Sequence, residues 1–466
     1  MASRRNMASS SAIAFKGALD MVRHSAIFPI VLLASASIAQ QAPNVFQPSA
    51  VQTALQSKAR AAGATELAAA AAPNGGMILN GSVEGRRFVL TIPPNWTGET
   101  VLFGQGYALP GTPPTVPADP LAKDPGGGLF NHLYAQGIAS GIAAVDKNGI
   151  ATETATRNTM RLRALAAKLG ATRFYAVGGS MGGNIVLSLI ENHPNAFSGA
   201  VAMCGVTQGW LAMVRQLTDM RGAYDVLTEG TPYALPGGKD LTRSALPIVP
   251  PANDPTPGDA FREAQKMKLL SPILTLFLAA KANPQGSEAR IIRQVAAVGG
   301  FAPDPAALGA PISSAALGMD DIKATMGGLP IGNRDIVYAP PEMDATQTAA
   351  FNRKMQRYDA DPRAVAYARR WHEATGRFRI PLVTVHQTID SLVPFAQSEG
   401  LGRITAAAGN GARLAQYAVP PTTIPLPGGL TGYTHCGFTP VQNIAAFDAM
   451  RTWVRTGRKP AAEAVR

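Results

Sequence analysis

The order of apolar and polar residues predicts two kinds of structure along the chain. Short apolar runs bounded by glycine or proline alternate with helix-length amphipathic segments up to about residue 206 and again after residue 376. The predicted strands are 77–79, 87–92, 100–103, 137–145, 173–179, 199–204, 380–386 and 412–418. Such alternation is typical of an α/β fold, with a mostly parallel central sheet flanked by helices.

Between these two parts the alternation stops. The intervening sequence has amphipathic segments separated by proline-rich loops and no convincing series of strands. We therefore assign 76–206 and 377–466 to the α/β core and 207–376 to a large, mainly helical cap or lid insertion. The Ala/Gln-rich segment 40–75 ends in an alanine run, which predicts a helix or a loosely held segment.

The first 39 residues have the pattern of a cleavable secretory signal. A basic stretch precedes the apolar residues 26–39, which end in Ser37-Ile38-Ala39. This apolar stretch is too short to span a membrane, and an ordinary apolar helix is the alternative interpretation. We expect a secreted or periplasmic protein without a stable membrane span.

Residues 173–186 carry the strongest chemical signal. A strand pattern ends in Gly-Gly-Ser-Met-Gly and a helical pattern follows, which predicts a sharp strand-to-helix turn with Ser180 at its apex. In such a nucleophile elbow the serine hydroxyl is exposed above the sheet edge, and flanking glycines permit the close packing. The alternative is a plain turn with a surface serine.

An acid and a histidine follow Ser180 in the order that this motif requires. Asp390 lies in the loop after the strand at 380–386, and His435 is the one histidine that follows Asp390. These residues predict a nucleophile, an acid and a base, with the backbone N–H groups of Met181 and Tyr107 as an oxyanion hole. A glycine turn without a catalytic role is the alternative for Tyr107.

Composition and charge narrow the function further. The 466 residues are 46% hydrophobic and 15% charged, as expected for a globular protein with a sizeable core. The net charge of +12 comes from scattered rather than clustered residues, so nucleic acid is not an expected partner. No metal-ligand spacing or phosphate-binding glycine loop is present, and no cofactor is expected.

The chain has only two cysteines, Cys204 and Cys436. In an exported protein an isolated pair predicts a disulfide. Both cysteines are predicted at the same edge of the sheet, where a bridge would hold the loop of His435 in place. Two buried free thiols are the alternative.

These motifs resemble those of secreted serine esterases of the α/β-hydrolase fold. The elbow Gly178–Gly183 is also similar to that of homoserine acetyltransferases, and His435-Cys436 resembles the tannase and feruloyl esterase family. In that family a disulfide joins the cysteine next to the histidine to a cysteine next to the serine. In this chain Gly179 occupies the position next to the serine, so that disulfide is not reproduced.

The resemblance implies cleavage of small or polymeric carboxylic esters through an acyl-enzyme intermediate. The alternatives are a serine peptidase or amidase, an acyltransferase, or a non-catalytic binding protein on the same fold.

Overall fold

A computed structural model describes residues 47–465. The predicted secretory signal lies outside these described residues.

Within residues 47–465, nine strands form one sheet and two more form a separate hairpin. The sheet strands are β1 Ala64–Ala72, β2 Gly76–Val83, β3 Arg86–Ile92, β4 Glu99–Gly104, β5 Ala139–Ala143, β6 Arg173–Gly179, β7 Gly199–Met203, β8 Leu382–Gln387 and β9 Leu414–Val419. The hairpin consists of β10 Thr423–Leu426 and β11 Leu430–Tyr433. The helices are α1 Ala50–Ala61, α2 Leu129–Ala135, α3 Thr152–Leu169, α4 Met181–Asn192, α5 Trp210–Leu227, α6 Gly258–Ala282, α7 Ser287–Gly299, α8 Pro305–Met326, α9 Ala345–Lys354, α10 Pro362–Trp371, α11 Ala396–Ala407 and α12 Pro440–Thr456.

The sheet is mostly parallel, as predicted. Its order is β1-β2-β3-β5-β4-β6-β7-β8-β9, and the pairs from β5 through β9 are parallel. The first three strands add antiparallel pairs at one side. Because β4, β6, β7 and β8 run in the same direction, the loops after them meet at one edge of the sheet.

Alternate residues of the strands face two different hydrophobic cores. On β6, Phe174 and Ala176 pack on the side of α3 and α4, whereas Tyr175 and Val177 pack on the side of α2 and α12. This alternation is why the central strands are apolar at nearly every position. A sheet buried on both faces leaves its loops as the accessible part of the core.

Helices α5 to α10 lie between β7 and β8, in the segment predicted to be a helical insertion. Residues of α5, α6, α7 and α8 form a hydrophobic cluster of their own, which includes Tyr224, Leu269, Val295 and Leu308. Helix α8 is 22 residues long, although its sequence contains Pro305 and Pro311. Among the described residues, no helix has both the length and the apolar character needed to cross a membrane.

The helix predicted for the Ala/Gln-rich segment 40–75 is present as α1, Ala50–Ala61, but the alanine run that follows it is not helical. Residues 64–72 form β1, which pairs antiparallel with β2 at the edge of the sheet. Alanine favours helix as an isolated residue, but the backbone groups along β2 offer hydrogen bonds that outweigh this preference. The proline-rich sequence between the last predicted strand and His435 also predicts a loop, whereas the structure has the hairpin of β10 and β11 there.

Candidate active site

The predicted elbow is present at the end of β6. Ser180 has φ 57° and ψ −125°, and α4 begins at the next residue. A Cβ atom on Gly178 would overlap the carbonyl of Gly182, and one on Gly182 would overlap the carbonyl of Gly104. The glycines are therefore required by close packing against the end of β4. Ser180 is held in a conformation that a residue with a side chain rarely adopts.

Ser180, His435 and Asp390 form a continuous hydrogen-bonded chain. The Nε2 atom of His435 lies 2.8 Å from the Oγ atom of Ser180. The Nδ1 atom lies 2.8 and 3.0 Å from the two carboxylate oxygens of Asp390. Since an ionised carboxylate only accepts hydrogen bonds, Nδ1 carries the proton and Nε2 is left to accept from the serine hydroxyl.

Asp390 is fully enclosed, with 0% of its side chain exposed. Its Oδ1 atom accepts the backbone N–H groups of Leu392 and Val393, at 2.8 and 2.9 Å, and its Oδ2 atom accepts that of Cys436 at 3.0 Å. Burial alone would raise the pKa of this carboxyl. The hydrogen bond and charge of His435, together with the backbone N–H groups, hold the pKa below its usual value. Asp390 is therefore ionised beside the imidazole at neutral pH.

Met181 and Tyr107 border the space beside Ser180, where the oxyanion hole was predicted. Among the described residues, neither backbone N–H donates to another group. Gly106 lies against the serine, since a Cβ atom there would be 3.8 Å from the Cβ of Ser180. The loop after β4 thus approaches the elbow closely. Burial, and secondarily the charge of Asp321, raises the pKa of the Tyr107 hydroxyl, so that hydroxyl stays neutral.

Cys204 and Cys436 form the predicted disulfide, with a Cα–Cα distance of 5.4 Å. Cys204 directly follows β7, and its sulfur would be 3.6 Å from a Cβ atom on Gly179. The bridge therefore reaches the elbow from the neighbouring strand rather than from the residue before the serine. Both cysteines have positive φ, 43° and 56°. The bond ties the loop of His435 to the strand beside β6.

A metal does not fit this group of residues. Asp390, His435 and Cys436 are the one set of three potential ligands that the described part of the chain brings together. The sulfur of Cys436 is in a disulfide, so it cannot act as a thiolate ligand. The Nδ1 atom of His435 is occupied by Asp390.

Two of the cavities formed by the described residues reach Ser180. The larger, about 690 Å³, is also bordered by His435 and by residues of the long loop that precedes α2. The smaller, about 50 Å³, lies between the core and helices α5 and α8. The sequence patterns did not indicate that residues of α8 would border this smaller cavity. Their spacing at Ser314, Gly318 and Ile322 has the helical period, but two prolines in the segment obscured it.

Comparison with known proteins gives one match to a sequence model and several distantly similar solved structures. A sequence model described as the alpha/beta hydrolase fold matches residues 155–243. Similar solved structures include an esterase from Aspergillus oryzae, at 15% identity and TM-score 0.40, which covers 83% of this chain and 80% of that one. Feruloyl esterase B from Aspergillus oryzae is 13% identical, with TM-score 0.42 and coverage of 87% and 91%.

The rice cell wall degrading esterase LipA from Xanthomonas oryzae is 13% identical, with TM-score 0.37 and coverage of 74% and 83%. No curated protein has a significant sequence match to this chain. The sheet order, the elbow between β6 and α4 and the matching sequence model together define the class: the protein has the α/β-hydrolase fold.

Proposed function

We propose that the protein is a serine hydrolase that cleaves carboxylic esters through an acyl-enzyme intermediate. The observation that carries this proposal is the hydrogen-bonded chain from Ser180 through His435 to Asp390. A serine hydroxyl is too weak an acid to attack a carbonyl by itself. The imidazole at 2.8 Å is placed to remove its proton.

In the first half-reaction the Oγ atom of Ser180 bonds to the ester carbonyl carbon while its proton passes to Nε2 of His435. The oxyanion accepts hydrogen bonds from the backbone N–H groups of Met181 and Tyr107. The intermediate then breaks its bond to the alcohol oxygen, and His435 gives its proton to that oxygen. The alcohol leaves and the acyl group remains on Ser180.

In the second half-reaction a water molecule gives a proton to His435 and attacks the acyl carbon. The bond to Ser180 breaks, the proton returns to the serine oxygen, and the carboxylic acid leaves. Asp390 keeps Nδ1 protonated throughout and stabilises the positive imidazolium. No cofactor takes part in this scheme.

Covalent labelling tests the proposal. A fluorophosphonate probe should modify Ser180, identified by peptide mapping, and the protein should release p-nitrophenol from p-nitrophenyl acetate. Labelling with turnover of amides but not esters would support a peptidase or amidase instead. Acyl transfer to an added alcohol in preference to water would support an acyltransferase. Absence of both labelling and turnover would overturn the enzyme proposal and leave a binding protein.

We further propose that the protein is exported. The apolar stretch 26–39 supports a secretory signal. The disulfide supports an oxidising compartment, since such bonds are rare in the cytosol. The test is the N-terminal sequence of protein recovered from outside the cytoplasm. It should begin at or near Gln40, and an N-terminus that retains residues 26–39 would contradict the proposal.

A further inference from the structure

The two cavities beside Ser180 differ in the residues that border them. The larger cavity includes His435, whereas the smaller one does not. The smaller cavity is bordered by one face of α5, at Trp210, Met213, Val214 and Leu217, with Gly318 and Ile322 of α8 opposite. Apart from Ser180, Ser314, the hydroxyl of Tyr107 and the indole N–H of Trp210, which donates to no described group, its side chains are apolar.

The position of His435 decides which part of an ester lies in which cavity. The imidazole must donate its proton to the leaving alcohol oxygen, so that oxygen has to lie within hydrogen-bond reach of Nε2. His435 borders only the larger cavity. The alcohol portion therefore extends into the larger cavity, and the acyl chain extends from Ser180 into the smaller one.

The size of the smaller cavity limits the acyl chain. One water-sized group needs about 10 to 15 Å³ of this kind of space, so a cavity of about 50 Å³ holds roughly three to five such groups. A methyl or methylene group is larger than a water molecule, so this is room for an acyl chain of about two to four carbons. A longer chain would have to displace the buried side chains of α5 or α8, which are closely packed.

The larger cavity offers hydrogen-bond acceptors to the alcohol. The amide nitrogens of Gln105, Asn148 and Asn443 donate to backbone carbonyls of Thr115, Thr112 and Gly127. This arrangement leaves the three amide oxygens available, since no described group donates to them. They suit the hydroxyl groups of a substrate.

The larger cavity also contains one carboxylate, that of Asp124. A second negative charge in the same cavity would be repelled by it. These linings disfavour an anionic alcohol and suit an uncharged one.

We propose that the substrate is an ester of a short acyl group, about two to four carbons long, with a large, uncharged, polyhydroxylated alcohol. This inference rests on the proposed ester hydrolysis and adds its selectivity. Helices α5 and α8 of the insertion determine the acyl length. The loops of the core determine the alcohol.

Acyl selectivity is tested with p-nitrophenyl esters from acetate to decanoate, compared as kcat/KM. The wild-type protein should have its highest kcat/KM on the esters of two to four carbons, acetate through butyrate. Its kcat/KM for octanoate should be lower by about tenfold or more, as expected for extra methylenes in a closed apolar site. Met213→Ala should raise the ratio of octanoate to butyrate by about tenfold, because it lengthens the smaller cavity.

Met220→Ala is the matched control. Met220 is on the same helix and is as buried as Met213, but it packs in the interior of the insertion rather than at the cavity. This variant should keep the wild-type chain-length profile within about twofold. Equal shifts in both variants would assign the effect to a loosened insertion and overturn the acyl assignment.

Alcohol selectivity is tested with two acetates of similar size, 6-O-acetylglucose and hexyl acetate. The sugar ester should have the higher kcat/KM, by about tenfold, from hydrogen bonds that hexanol cannot make. Met213→Ala should leave this ratio unchanged. If it changed the alcohol preference and not the acyl preference, the two cavities would be assigned the wrong way round.

The outcomes separate this inference from the proposed function. A flat chain-length profile in a protein that hydrolyses esters and is labelled at Ser180 overturns only the substrate class. Absence of both labelling and ester turnover overturns the proposed hydrolase and this inference with it.

Discussion

The loops at the sheet edge and the helical insertion approach the same serine, but their geometry is fixed in different ways. In the loops, Ser180, Cys204 and Cys436 all have positive φ, and a disulfide joins two of the loops. The insertion presents apolar side chains on helices. Strained backbone persists only where the surroundings hold it firmly. We infer that the loops fix the chemistry and the insertion adjusts selectivity and stability.

The largest expected effect is that of Ser180→Ala. Removing the attacking oxygen should lower kcat for ester hydrolysis by a factor on the order of 10⁶, as in comparable serine hydrolases. Ser188→Ala is the control. Ser188 is a buried serine on α4 whose hydroxyl accepts from Thr156 at 2.9 Å, so this variant should lose stability but keep kcat. Steady-state kinetics and thermal unfolding distinguish the two results, and full turnover by Ser180→Ala would remove the serine from the mechanism.

The next effect is that of Asp390→Asn. An amide beside Nδ1 favours the wrong tautomer of His435, and kcat should fall by a factor on the order of 10⁴. Asp219→Asn tests a buried aspartate of the insertion, which accepts from the Tyr338 hydroxyl at 2.7 Å. It should lower the unfolding midpoint with little change in kcat. If both variants lost activity equally, the division between loops and insertion would be wrong.

A smaller effect is expected from the disulfide. It joins two residues that are 232 positions apart in the sequence, for which chain entropy suggests a stabilisation of at most about 5.5 kcal/mol. The double substitution Cys204→Ser with Cys436→Ser should lower the free energy of unfolding by up to this amount, measured by denaturant unfolding. It should also lower kcat, but less than Asp390→Asn does, because Asp390 still bonds to His435.

Reductant provides the control for the disulfide prediction. It should reproduce the loss of stability in the wild-type protein and have no effect on the double variant. A wild-type protein whose stability and kcat are unchanged after complete reduction would show that the bond does not hold the loop of His435.

These comparisons also explain how much could be predicted from the sequence. The elbow was predictable because its requirements are local: glycines where backbones touch, and a strand and a helix on either side of Ser180. Asp390 and His435 followed from the order of strands, since parallel strands end at one edge. The disulfide followed because the chain offers no other pair of cysteines.

The rest depended on contacts between distant segments. Helix α8 contains Pro311 in its interior, which normally disfavours helix, but its neighbours Leu308 and Ile312 are fully buried. Burial of these side chains outweighs the lost hydrogen bond. The smaller cavity is a gap between α5 and α8, and its width depends on packing that no local pattern encodes. Strand β1 likewise forms because β2 provides an edge.

The smallest effect concerns Glu373, where the two ends of the insertion meet. Its carboxylate accepts the backbone N–H of Leu211 at 2.9 Å, near the start of α5. Burial raises the pKa of Glu373 to about 7. The backbone N–H groups of Leu211 and Trp210 and the charge of Arg369 act in the opposite direction. An unfolded glutamate would release its proton near pH 4.5. Between these values the folded protein binds more protons than the unfolded one, so the free energy of unfolding should decrease as the pH rises from 4.5 to 7.

Glu373→Gln should remove that decrease, which amounts to at most about 3 kcal/mol. The measurement is denaturant unfolding at about pH 5 and about pH 8, with the difference between the two compared among variants. Glu263→Gln is the control, since 61% of that side chain is exposed and it should keep the wild-type difference. If Glu373→Gln also kept it, the junction would not be the titrating element. If it removed the difference while kcat at each pH stayed that of the wild type, the stability of the insertion would be separable from the chemistry of the loops, as the comparison requires.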